Sequence, residues 1–404
     1  MQLNKQSRIW WGPPRKFTTE LEERKISWLE LFYDLVYVIA ISKITNLLAG
    51  HFSFSGFLDY TYFFAIVFWG WLNGSLYHDL HGSAGLRTRL MTLWQMMIVA
   101  SLVITIDSAP ENLVFNATIA VMGMQLFITY LWWSVGIYDK HHRKLNRPYT
   151  IIYLVAFALM FSTLFLKQPW VRIIFYLALF LNYIPPFVSQ KLLQKESLEL
   201  SLSSSMSERL GLFTIIIFGE VVVGVVNGIS KLHALSVNIW LNFGLAVCIV
   251  FSLWWIFFAL VSDRNCKKGF VNGSLLEILY IPTLMALGLI SVVFSGLFES
   301  FFRDDLHLNG LKKAFSLSMG IFLLGINCMT LLLEYPTYTN DFKKRIQQIL
   351  LVPGVLFLVL TAFNSQISVS IYLLIVLIIL LALIAALNRT WYALKLNDDS
   401  GEEQ

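Results

Sequence analysis

Charged side chains are scarce in this chain: Asp, Glu, Lys and Arg make up 14% of its 404 residues, where a soluble globular protein carries about a quarter. So few charges cannot cover a water-facing surface of that size. The deficit excludes an ordinary soluble enzyme or binding domain and fits a surface facing hydrocarbon, where unpaired charge is costly. Cysteine is thin as well. Cys248, Cys266 and Cys328 fall in two apolar runs and one basic loop, with no metal-ligand spacing and no disulfide framework. There is no Gly-rich phosphate loop, no G-x-S-x-G and no kinase signature. His78, His81, His141 and His142 are read as loop residues on the cytoplasmic side, and no H-x-x-x-H occurs. No catalytic residue, metal or cofactor is therefore expected. Residues 1–26 hold no apolar core, so they read as a polar cytoplasmic segment and not as a cleavable signal peptide.

What the chain has in abundance is apolar length. Hydrophobic residues make up 57%, and the mean hydropathy is +0.67. A span needs roughly 20 apolar residues. Runs of that order begin near Trp28, Phe57, Leu90, Val114, Tyr149 and Val171, and again near Leu210, Val237, Leu275, Leu311, Ile346 and Ile367. The expectation is an all-α, polytopic transmembrane helical bundle of about 12 spans. Two boundaries are narrow: Lys167 to Pro169, and Asn364 to Gln366. Each holds enough polar residues for a tight turn, so two hairpins are predicted there.

Basic residues set the orientation. With the alternation that twelve spans impose, 23 of the 30 Lys and Arg fall on one side and six on the other. That bias places the protein in the cell membrane with both termini cytoplasmic. The net charge of +5 is scattered in short clusters, so no nucleic-acid partner is expected. The partners are the lipid bilayer and an unidentified small solute or ion.

The two halves resemble each other. Glu23-Arg24 precedes Leu29-Glu30-Leu31-Phe32, and Glu208-Arg209 precedes Leu210-Gly211-Leu212-Phe213. In each second span a tryptophan pair is followed by an aspartate: Trp69, Trp71 and Asp79, then Trp254, Trp255 and Asp263. Six spans per half give a parallel six-plus-six internal repeat. The expected layout is 27–189 and 208–390 as the halves, 190–207 as a polar linker and 391–404 as an acidic tail.

Three acids fall inside expected spans. Glu30 and Asp34 lie four apart, hence on one helix face. Glu220 lies eleven residues after Arg209, roughly 16 Å along a helix and near the midplane. Two readings of Glu220 stay open: a proton-binding or cation-binding carboxylate, or a hydrogen-bonded lock between helices. Arg209, Arg24 and Glu208 would balance charge at the cytoplasmic end. Gly211, Gly219, Gly224 and Gly228 would allow close packing, the last two as a small-xxx-small pair. The amides Asn46, Asn73, Gln95, Asn116, Gln125, Asn227 and Asn242 are expected to bond across helices.

The stretch W-L-E-L-F-Y-D-L-V-Y-V-I-A-I-S, Trp28 to Ser42, resembles the opening motif of the bacterial low temperature requirement A (LtrA) family. E-R-L-G-L-F-T-I-I-I-F-G-E, Glu208 to Glu220, is similar to that family's second hallmark. The resemblance implies a multi-pass membrane protein of a family named for a cold-growth phenotype. It marks Glu30, Asp34, Glu208, Arg209, Gly219 and Glu220 as hallmark positions. Lys43, Asn46, Ser205 and Val221 depart from the family pattern. The expected activity is that of a secondary transporter or permease, with Glu220 carrying a proton or cation and Asp34 and Glu30 forming the cytoplasmic side of the path. The alternative is a scaffold or envelope-homeostasis factor that moves no solute.

Overall fold

The computed structural model describes residues 14, 26–50, 52–82, 85–106, 110–139, 143–193, 202–230, 236–262, 264–299, 305–335, 340–363 and 367–401. Arg24, Asp263, His141, His142, most of the expected leader and residues 194–201 of the expected linker lie outside the described residues.

Among the described residues the chain is helical throughout, with no named strand. The helices are α1 Trp28–Gly50, α2 Phe54–His81, α3 Leu86–Ile106, α4 Pro110–Tyr138, α5 Arg143–Ser162, α6 Trp170–Asn182 and α7 Pro185–Leu193. They continue as α8 Ser204–Ser230, α9 Val237–Phe257, α10 Phe270–Glu299, α11 Asp305–Leu332, α12 Asn340–Leu360 and α13 Val369–Gly401. The protein is an all-α polytopic bundle. All twelve expected apolar runs are helical, and α6 and α7 share the run Trp170–Leu192. The break between them falls at Tyr183 and Ile184, before Pro185 and Pro186. Proline has no N–H to give and a φ preset for a first helical turn, so it ends one helix and opens the next. Both narrow boundaries are breaks: a 3₁₀ turn at Thr163–Phe165 leads to the Gln168–Pro169 turn, and α12 stops at Leu360 before α13 begins at Val369. Residues 391–401, expected to begin a separate tail, prolong α13.

Among the described residues ten helical segments, with α6 and α7 together as one, are long and apolar enough to cross a membrane. The run of α12 is diluted by Asn340, Lys343, Lys344, Arg345, Gln347 and Gln348 at its start. The reason for α2 is different. Every residue from Tyr62 to Ser75 is buried, on all sides of the helix. A helix wrapped in protein can carry Trp, Tyr, Asn and Gly, because its polar groups meet partners instead of lipid.

The chain forms two compact units, Met1–Phe213 with Lys267–Glu277, and Thr214–Cys266 with Ile278–Gln404. In the first, α2 touches α1, α3, α4 and α6, while α5 packs on α4, α6 and α7. In the second, α11 packs on α12, and α13 on α9 and α12. The α11–α12 contact needs small residues. A Cβ on Gly320 would lie 2.6 Å from Leu358 Cδ2 and 3.1 Å from the Gly354 carbonyl oxygen, so any larger side chain would push the two helices apart.

Candidate functional site

The first unit holds a buried polar core built around α2. It starts where α1 starts. Ser27 and Glu30 form a reciprocal cap: the Ser27 N–H and Oγ donate to the Glu30 carboxylate at 2.8 and 3.0 Å, and the Glu30 N–H donates to Ser27 Oγ at 3.4 Å. This S-x-x-E arrangement satisfies donors that a helix start leaves open. These bonds make Glu30 part of the helix cap.

One turn on, Asp34 meets Arg209 of α8. Arg209 Nη2 donates to Asp34 Oδ1 at 2.5 Å and Nε donates to Oδ2 at 3.3 Å. Trp71 Nε1 donates to the same carboxylate at 2.7 Å. The two side chains are only 1% and 2% exposed, so the pair is dry. The guanidinium also lies 5.7 Å from the Tyr33 ring centroid and 5.8 Å from that of Trp71. A buried cation without a counter-charge is strongly unfavourable. The pair with Arg209 therefore ties α8 to α1 and α2. Glu208, its neighbour, points outward and is exposed.

Further along α2 the polar contacts continue from helix to helix. Gln95 of α3 donates to the Tyr37 hydroxyl and to the Gly70 carbonyl, both at 3.0 Å. Gly74 leaves room for this group, since a Cβ there would overlap the Tyr33 hydroxyl and approach Gln95 to 2.6 Å. Asn73 Oδ1 accepts from Trp132 Nε1 at 3.1 Å and from the Tyr153 hydroxyl at 2.7 Å. Gln125 and Asn182 bond each other twice at 2.9 Å, and Trp69 Nε1 donates to the Asn182 carbonyl at 2.9 Å. Asn73, Gln95 and Gln125 thus cross-link α1 to α6 as expected of intramembrane amides. In the second unit Asn242 is fully buried and its amide has no hydrogen-bond partner among the described residues.

His78 and His81 correct the sequence reading. They are buried residues of α2, not loop residues, and His78 Nε2 shares a hydrogen bond with Thr92 Oγ1 at 2.9 Å. Asp79 beside them accepts from Ser203 at 2.7 Å and also from Ser205.

Near Asp79 lies an acid that the sequence reading passed over. Glu277 of α10 is buried, and among the described residues no hydrogen bond reaches its carboxyl group. It is within electrostatic reach of Asp79, Tyr149, Tyr153 and Tyr183. Among the described residues other polar atoms of this unit lack partners too: the Tyr149 hydroxyl, the Ser75 hydroxyl and both side-chain atoms of the Asn146 amide. The Tyr149 ring is held by stacking on Trp132, with centroids 4.3 Å apart. Most buried polar groups in native proteins are hydrogen-bonded within the fold or to water, so this cluster is the most polar part of the unit left without a protein partner among the described residues.

Glu220 belongs to the second unit. It is buried, and its backbone carbonyl accepts from Ser291 Oγ of α10 at 2.8 Å. A Cβ on Gly224 would overlap Ser291, and one on Gly228 would come within 2.9 Å of Phe298 Cβ and 3.0 Å of Ser295 Cα. At these two glycines α8 and α10 approach closely. Gly211 is buried. Gly219 is a correction: it is exposed, and nothing lies within 4 Å of where its Cβ would be, so it packs against no helix. Among the described residues no three His, Cys, Asp or Glu side chains are grouped to hold a metal ion.

The profile of a protein family described as Bacterial low temperature requirement A protein (LtrA) matches residues 25–390. The chain is also similar to the uncharacterized protein RA0937 of Rhizobium meliloti (strain 1021), at 23% identity over 262 residues. That match covers 61% of this chain and 62% of the relative, so the chain spans under two thirds of the relative's length.

Proposed function

We propose that this chain, which belongs to the bacterial low temperature requirement A (LtrA) protein family, is a secondary transporter or permease for a small solute or ion, driven by a proton or cation bound to buried carboxylates. One observation carries the reading: Glu277 is buried without a hydrogen bond among the described residues, in a unit whose Tyr149, Ser75 and Asn146 side chains also have unbonded polar atoms. An ionisable residue buried within a membrane span commonly faces another group or a path for water, ions or substrate. Glu220 is the second acid of the proposal, taking the coupling proton or cation in its own unit. Asp34 and Glu30 are assigned to positioning, because each already has its partner. The positive-inside bias supports a cell-membrane location with cytoplasmic termini, and the six-plus-six repeat belongs to the same proposal.

The test is an uptake screen in proteoliposomes carrying the full chain, loaded from a mixed pool of small polar solutes under an imposed pH gradient. Protein-dependent accumulation of a defined solute that fails in Glu277→Gln supports the reading. If no solute accumulates, or if Glu277→Gln and Glu220→Gln accumulate it as wild type does, the assignment is wrong.

A second reading, a membrane scaffold that moves nothing, is favoured by the Asp34–Arg209 pair. It is sealed from water and tied to three aromatic or backbone neighbours, as a permanent lock would be. The screen separates the two readings.

A further inference from the structure

The second unit has a cleft at the end where α9 and α11 finish and α12 begins. Its volume is about 320 Å³, within the range of small-molecule sites. Apolar side chains such as Ile256, Ile346, Ile384 and Leu387 line its depth. Arg264 lines the cleft too, with the guanidinium 5.1 Å from the Tyr335 ring centroid and 5.0 Å from that of Trp391. Two aromatic rings hold the cation in place. They do not neutralise it: among the described residues no carboxylate pairs with Arg264, and its Nε–H is buried without an acceptor. Tyr335 donates to the Leu260 carbonyl at 2.8 Å. Burial pushes the Tyr335 hydroxyl up to about 12, against the pull of Arg264, so the ring stays neutral and supplies no counter-charge.

The backbone under the cleft is irregular. Phe258–Ser262 forms a π-helical turn, and Ala259 and Leu260 of that turn line the cleft. Such turns occur often at functional sites. The outer wall is open to the surroundings, with Trp255 42% and Trp391 45% exposed. Indole rings at a span end are usual at the headgroup level. Lys343 adds a second cation, 5.7 Å from the Tyr335 ring centroid.

We propose that this cleft binds an anionic phospholipid of the surrounding bilayer, with the headgroup phosphate on Arg264 between Tyr335 and Trp391 and the upper part of an acyl chain among the isoleucines and Leu387. The phosphate supplies the missing acceptor and charge for a forked guanidinium. A free anion would leave the apolar lining unfilled, and a zwitterionic lipid, which presents the same phosphate, would bring its own ammonium group up to Arg264 and Lys343, a like-charge contact that an anionic headgroup avoids. This site is independent of the transport reading, because it needs no solute movement.

The experiment uses the full chain in nanodiscs of phosphatidylcholine, titrated with brominated phosphatidylglycerol, whose bromines quench nearby tryptophan. Saturable quenching is expected, with at least tenfold preference over brominated phosphatidylcholine and no competition from inorganic phosphate. Arg264→Gln should abolish the preference. Ile384→Trp, which fills the cleft and keeps the arginine, should abolish the saturable phase, so a folding defect in one variant still leaves the other. The proposal is overturned if Arg264→Gln keeps the preference, if Ile384→Trp still saturates, or if inorganic phosphate displaces the lipid and reveals a simple anion site.

Discussion

Replacing Asp34 by Asn leaves the shape of the α1–α2–α8 contact almost unchanged and removes one charge. Arg209, 2% exposed, would then be a buried cation against Trp71, Tyr33 and the Ser75 carbonyl, with the capped Glu30 carboxylate within electrostatic reach but not bonded to it. Breaking a buried pair from one side costs about 3–5 kcal/mol. That is roughly two to four powers of ten in the folded-to-unfolded ratio. Arg209→Met should cost a similar amount by stranding the carboxylate. The double variant Asp34→Asn/Arg209→Met carries neither charge into the interior. It should recover most of the loss, because an apolar replacement of similar volume is often neutral or stabilising. The assay is reversible unfolding in mixed detergent micelles, read by circular dichroism for all four proteins, so that the coupling comes from a double-mutant cycle. The reasoning fails if either single variant stays within about 1 kcal/mol of wild type, or if the double variant loses the sum of the two.

Other outcomes follow from the same geometry. Gly224→Val forces a side chain into Ser291 and should destabilise by about 1–3 kcal/mol, whereas Gly219→Ala should be neutral or gain up to about 1 kcal/mol from helix propensity; comparing their midpoints in the same micelles checks both. Ser27→Ala removes the reciprocal partner of Glu30 and should cost about 0.5–2 kcal/mol, seen as faster amide exchange confined to the first turn of α1. Asn73→Ala strands the Trp132 N–H and the Tyr153 hydroxyl at about 1–3 kcal/mol for each buried group, with a shifted Trp132 emission as the local readout.

The architecture was legible because hydropathy and charge act on whole segments. All twelve apolar runs are helices, and both narrow boundaries are breaks. The α6–α7 break was also written in the sequence, as Pro185-Pro186, and was passed over. Average hydropathy cannot tell a helix facing lipid from one surrounded by protein. Because α2 is surrounded by protein from Tyr62 to Ser75, it can carry polar residues that hydropathy alone reads as leaving the membrane, and on that reading His78 and His81 fall in a loop. Glu277 was missed through a boundary. A run expected to start near Leu275 puts this acid at the interface, but α10 starts at Phe270, which sets Glu277 about 10 Å inside the helix. The signal was available in Phe270 and Val271, apolar residues directly after Lys267, Lys268 and Gly269. Asp34 was found, but its partner choice required tertiary structure: Arg209 lies 175 positions away, and no local pattern selects it over other basic residues.

Proton movement through the purified protein puts the functional reading at greatest risk. Sealed proteoliposomes with a pH-sensitive dye inside would be given an outward or inward pH gradient, with the transported solute from the uptake screen added to one side. Wild type should show solute-dependent proton or cation flux, and Glu277→Gln should lose it while remaining folded by circular dichroism. Flux of equal size and equal pH dependence in wild type, Glu277→Gln and Glu220→Gln would contradict the account.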